Sequence, residues 1–134
     1  MTLNPARFAT IAEDGWVLLS AEIRHVEDPD SFLIPARAER ESLSAGNAAK
    51  LLFDIETREG GRVIDRGVDR MWVIVKRRVG ANYVGVLETD PGIAEGLTLR
   101  VGTDVLFGPE HIIDIDHPPP SYVRERYGTD FFAQ

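Results

Sequence analysis

The densest run of groups able to do acid–base or metal chemistry is Glu110-His111-Ile112-Ile113-Asp114-Ile115-Asp116-His117. Imidazoles and carboxylates are the side chains that hold a divalent cation or exchange a proton with a substrate. Their spacing argues against convergence. Side chains on a strand alternate between two faces. Glu110, Ile112, Asp114 and Asp116 therefore share one face, and His111, Ile113, Ile115 and His117 the other. Metal ligands must meet at one point, and alternation separates His111 from both aspartates. We expect no metal, no cofactor and no catalytic set in this run, which reads as a strand end whose polar residues meet water. A small hydrolase using these carboxylates and histidines is the alternative.

A second group is electrostatic. Arg62, Arg66, Arg70, Lys76, Arg77 and Arg78 lie within one stretch that holds only two acids, Asp65 and Asp69. The chain as a whole carries a net charge of −7. Such asymmetry marks a surface for an acidic partner, or else decorates the exposed ends of a hairpin. Tyr83 falls on the strand that returns beside Arg70 and Lys76, where an aromatic ring would complete a binding face. The candidate binding residues are thus Arg70, Arg77, Arg78, Tyr83, Glu110, His111 and Asp114. Trp72 is assigned to the core, because its strand is apolar on both faces. No Gly-x-Ser-x-Gly elbow and no glycine-rich phosphate loop occurs. Glu59-Gly60-Gly61-Arg62 reads as a hairpin connection.

The elements that must position these groups are mostly strands. Arg70 to Lys76 is a β-branched and aromatic run, Val79-Gly80-Ala81-Asn82 is a turn, and Tyr83 to Leu87 returns as the partner strand, a hairpin expected to be buried on both faces. Leu51, Phe53 and Ile55 share one face of an earlier strand. Leu97, Leu99 and Val101 alternate, Val105-Leu106-Phe107 follows Gly102, and Gly108-Pro109 breaks that strand. Ile112 to Ile115 is the last apolar segment before Pro118-Pro119-Pro120. Helical signals are confined to the flanks. Asn4 and Pro5 suit a helix start, Phe8, Ile11 and Ala12 one face, and Gly15 an end. Residues 16–26 fit helix or strand. Ser31 to Ile34 fits a short strand and Pro35 to Glu41 a helical turn. Ser121 fits the cap of a helix over Tyr122 to Tyr127, and Phe131 with Phe132 a terminal anchor.

The expected fold class is α+β, mainly β. It is a small, strongly bent antiparallel sheet or SH3-like partly open barrel, with an N-terminal helical segment and a short C-terminal helix. One domain is expected over 1–134, with 1–30 as covering segment, 31–117 as β-rich core and 118–134 as tail and short helix. The acidic balance argues against nucleic acid, whose phosphates need cations. No run approaches the roughly 20 apolar residues of a membrane helix. No signal peptide is read at the N-terminus, and the lack of cysteine fits a reducing compartment, so a cytoplasmic location is expected.

Three pieces carry a resemblance. They are Leu43-Ser44-Ala45-Gly46-Asn47 with the strand to Phe53; Arg70-Met71-Trp72-Val73-Ile74-Val75 followed by Gly85-Val86-Leu87-Glu88-Thr89-Asp90-Pro91; and Val101-Gly102-Thr103-Asp104-Val105-Leu106-Phe107 with His111 to Asp114 behind it. Together they resemble the bacterial family called domain of unknown function 2314, the YegJ-like proteins, over about half of the chain. One departure is Gly46-Asn47, where the family tends to have Gly-Asp and a carboxylate is lost. The resemblance implies a fold more than an activity. With no catalytic set in view, the expected function is a non-catalytic protein-binding module acting as a monomer or homodimer. An immunity or antidote protein that plugs a basic toxin surface is one specific form of it.

Overall fold

Residues 48–59 and 62–79 form the backbone of the molecule, as two long antiparallel strands joined at Gly60-Gly61. The structure, a computed structural model, describes residues 7–92 and 97–133; the expected helix start at Asn4 and Pro5 lies outside them. In chain order the elements are α1 (Ile11–Asp14), β1 (Trp16–Leu18), α2 (Ala21–Glu27), α3 (Arg37–Arg40), β2 (Ala48–Glu59), β3 (Arg62–Val79), β4 (Asn82–Leu87), β5 (Asp104–Phe107), a 3-10 turn (Pro109–His111), β6 (Ile112–Asp116), α4 (Pro120–Tyr127) and a 3-10 turn (Phe131–Ala133). The chain is α+β, mainly β: six antiparallel strands curled into a half-barrel.

Topology forces the curl. The sheet runs β2-β3-β4-β5, with β1 and β6 both on the free side of β2, at Phe53–Ile55 and Ala48–Leu51 respectively. Strands β5 and β6 therefore lie at opposite edges. Four spacings of about 4.8 Å would separate them by about 19 Å in a flat sheet. Only residues 108–111 join them, most of them in a 3-10 turn that rises about 2 Å per residue. A flat sheet is out of reach of that link.

Alternation then sorts the side chains. The inside holds Trp16, Leu51, Phe53, Val73, Tyr83 and Phe107, among others. The outside carries two separate apolar covers. Val123 of α4 and Phe131 seat on Ala48, Ile74 and Val86. At the other end Ala21, Phe32 and Ile34 seat on Leu52 and Ile113. Residues 70–76 and 83–87 form the expected hairpin, but Arg70 is exposed and Lys76 half-buried at its ends, and a further correction falls inside it. Trp72 is only half-buried, because it packs at the margin of the Val123–Phe131 cover rather than beneath it.

Other expectations also shift. Residues 16–26 are strand and then helix, with Ser20 capping α2. Ser31 to Ile34 is not a strand; Phe32 and Ile34 tuck under the sheet while Leu33 points outward, and no ladder partner is bonded to them. Leu97 and Leu99 are buried and Val101 exposed, without strand structure. Phe8 precedes α1, which Thr10 caps and Gly15 ends. Helix α4 begins at Pro120 without a side-chain cap, so Ser121 is not one.

Gly46 shows why the first turn and the last residues belong together. It has φ +92, and a Cβ there would stand 2.7 Å from the Phe132 ring. Asn47 Oδ1 accepts the Ser44 N–H at 2.8 Å. The amide thus closes the turn through its side-chain oxygen.

Candidate functional site

The seven candidate residues do not form one site. Tyr83 is fully buried, its ring 5.4 Å from that of Phe107. Its hydroxyl donates to the Arg40 carbonyl at 2.8 Å and accepts the Leu43 N–H at 3.2 Å. It is core, not a binding face, because residues 83, 85 and 87 point inward. Arg78 covers the same ring from the barrel end, 5.0 Å from its centroid, and donates to the Glu41 carbonyl at 2.7 Å. A bulge between Val75 and Arg77 sends Arg77 to the other face. There it lines a cleft of about 330 Å³ with Arg7, Asp14, Thr98 and Asp104.

Glu110 and His111 are not on the last strand. Gly108-Pro109 turns them into the 3-10 turn, so the alternation drawn from Glu110 to His117 begins only at Ile112. His111 Nδ1 accepts the Gly108 N–H at 2.9 Å, and its ring meets Phe8 edge-on at 5.7 Å. Burial, partly offset by the carboxylates of Glu110 and Glu22, holds this imidazole below its ordinary 6.5. Among the described residues no three of the His, Asp and Glu side chains cluster as a metal would require.

Arg70 and Asp114 do come together. Register places Asp114 of β6, Lys50 of β2 and Trp72 of β3 in one row across the outer face. Arg70 stands in the next row, opposite Leu52. A cleft of about 500 Å³ opens here, lined by Phe32, Glu39, Lys50, Arg70 and Asp114 among others. Lys50 Nζ lies 5.4 Å from the Trp72 ring centroid, and the Arg70 guanidinium 5.8 Å from that of Phe32. Each stack is worth about 0.5–1 kcal/mol at an exposed site. Among the described residues, Lys50, Arg70, Glu39 and Asp114 form no ion pair; Asp114 accepts only the Ile115 N–H. The outer face therefore bears a strip of unpaired charge between the two covers, with Phe32 of one cover and Trp72 at the margin of the other as its aromatic rings.

Sequence reasoning missed Lys50, Glu39, Phe32 and the exposed side of Trp72. The available signal was Lys50 itself, a cation on the face opposite Leu51, Phe53 and Ile55. Its partners follow only from the register of three strands.

Two neighbouring clusters are structural. Arg40 is buried, donating to the carbonyls of Pro35 and Pro109 at 2.9 Å and to Glu22 at 2.7 Å. It ties α2, α3 and the turn before β6 together. Glu88 accepts the hydroxyls of Tyr127 at 2.6 Å and Tyr122 at 3.1 Å and pairs with Arg126 at 2.8 Å, fastening α4 to the end of β4. Burial and then the Glu88 carboxylate raise the Tyr127 hydroxyl well above its ordinary 10.

No helix among the described residues is long and apolar enough to cross a membrane. Comparison with family models, with curated proteins and with solved structures gave no match to this chain.

Proposed function

We propose that the chain is a non-catalytic protein-binding module whose contact surface is the outer-face strip around Lys50, Arg70 and Trp72. The observation that carries this reading is the pair of cation–aromatic stacks, on Phe32 of one cover and on Trp72 beside the other, flanked by unpaired Glu39 and Asp114. Aromatic rings and arginine dominate the energetic centres of protein interfaces, and flanking charge sets partner choice and association rate. The hydrolase alternative lacks a convergent set: the Nδ1 of His111 is occupied by Gly108, and Asp114 faces a different cleft. The resemblance to the YegJ-like proteins favours neither an enzyme nor a particular partner.

The test is affinity capture from the source cell with the native chain and with a Lys50→Glu/Arg70→Glu variant of unchanged melting temperature. Arg77→Glu, on the other cleft, is the control. A polypeptide held by the native chain and the control, and released by the double variant, supports the reading. Equal retention by all three, or no retained polypeptide, overturns it.

A further inference from the structure

The arm formed by the far ends of β2 and β3 extends beyond both apolar covers, and every residue from 62 to 70 is exposed. One edge of β3 pairs with β2 along this whole length, while pairing with β4 on the other edge starts only at Val73. The groups on the open edge can be identified. Trp72 N–H donates to Thr89 Oγ1 and its carbonyl accepts the Glu88 N–H, both at 2.9 Å, so both point away from β2. Alternation along an antiparallel ladder points those of Arg70, Val68 and Arg66 the same way. The Arg66 N–H is held by the Asp65 carboxylate at 2.8 Å. The Val68 and Arg70 N–H groups and their carbonyls bond to no group among the described residues.

Charge on this edge follows the pleat. Arg66, whose guanidinium pairs with Asp54 at 3.0 and 3.1 Å, and the unpaired Arg70 lie on the outer face with Val68, whereas Asp65 and Asp69 lie on the inner face with Gly67. A second copy cannot pair here without penalty. A closed two-fold pairing of two identical antiparallel strands has its axis perpendicular to the sheet, so like faces meet. Every register centred between residues 65 and 70 then sets either two arginines or two aspartates directly opposite one another, and like charges so placed destabilise a sheet. The same pattern suits a strand whose acids lie on the outer face and whose bases lie on the inner face.

We propose that the open edge of β3 from Asp65 to Arg70 is a docking site for an extended segment of a different protein. The segment adds as an antiparallel strand, with acids opposite Arg66 and Arg70, bases opposite Asp65 and Asp69, and an apolar residue opposite Val68. Main-chain bonds to Val68 and Arg70 hold it, and the alternating charge selects it. This edge meets the Lys50–Trp72 strip at Arg70, which belongs to both; docking along Asp65 to Val68 stands whether or not the strip binds a partner.

The probe is the end-capped peptide Thr-Glu-Lys-Val-Thr-Glu-Lys-Thr, added to the isotope-labelled full chain while amide exchange is followed residue by residue. At ten times its Kd the peptide should slow exchange at Val68 and Arg70 about tenfold, leaving β4 and β5 amides unchanged. An Asp65→Lys/Asp69→Lys variant should lose this protection and regain it with a peptide whose two lysines are glutamates. A matching peptide that protects no edge amide, or protects the native chain and the variant equally, overturns the proposal. So does a chain that dimerises through this edge at the concentrations used.

Discussion

Tyr83 shows how much a residue's role depends on which face it occupies. As an aromatic beside a basic stretch it reads as a binding platform; pointing inward, it supplies a buried hydroxyl to two backbone groups. Tyr83→Phe keeps the ring but leaves the Leu43 N–H without an acceptor in the core. That change should cost about 1–3 kcal/mol, read as a lower urea midpoint with unchanged slope; a loss under about 0.5 kcal/mol would show that water replaces the hydroxyl. His111 was legible as a titratable group, but its environment was not, because the Gly108-Pro109 break also removes Glu110 and His111 from the strand. Its held-down ionisation has a consequence for stability. Between the ordinary 6.5 and the lower folded value, the unfolded chain binds the proton and the folded chain does not. Stability is therefore intact above pH 6.5 and declines as pH falls below it. His111→Gln should flatten that part of the stability profile, and a profile of unchanged slope would assign the decline to other groups.

At the scale of elements, the composition of residues 70–76 and 83–87 announced a hairpin buried on both faces, and the structure has it apart from Arg70, Trp72 and Lys76. The outer half of β3 was not legible. Arg62 to Arg70 has no buried face, so no alternation of apolar and polar residues marks it as a strand; its ladder to β2 is carried by backbone groups that every sequence possesses. The converse holds at Leu97 and Leu99, where alternate burial exists without a ladder. Periodicity thus reports burial, and reports strands only where the two coincide. Gly85 is the point where hairpin geometry is least tolerant. A Cβ there would stand 3.0 Å from the Ile74 carbonyl oxygen and 3.1 Å from the Val73 Cβ. Both neighbours are backbone or backbone-attached atoms within the central strands, so neither can swing aside. Gly85→Ala should cost about 1–3 kcal/mol, measured by thermal unfolding. An unchanged melting temperature would mean that β3 and β4 separate locally at no cost.

Across the whole molecule, the half-barrel depends on both of its outer covers, because the inner and outer faces are built on the same central strands. Ile74 faces outward to Phe131 and Val123, while its neighbours Val73 and Val75 face inward to the main core. The C-terminal residues are held at several points: Phe131 in that cover, Phe132 over Gly46, the Arg124 guanidinium 5.0 Å from the Phe132 ring, and Tyr122, Tyr127 and Arg126 on Glu88. Removing the cover would expose Ile74 and Val86 and free the turn at Gly46 that leads into β2. We therefore expect Phe131→Ala to cost about 3–5 kcal/mol as a large-to-small change in a buried cluster, and to lower the stability of the entire sheet rather than that of α4 alone. The two tryptophans make this measurable. Trp16 lies inside and Trp72 on the outer face against the C-terminal cover, so Trp16→Phe and Trp72→Phe backgrounds isolate the two emissions. In the Phe131→Ala chain both emissions and the far-ultraviolet circular dichroism should shift at one common, lowered denaturant midpoint. An early Trp72 transition with the Trp16 midpoint unchanged would show that the C-terminal cover unfolds as an independent unit.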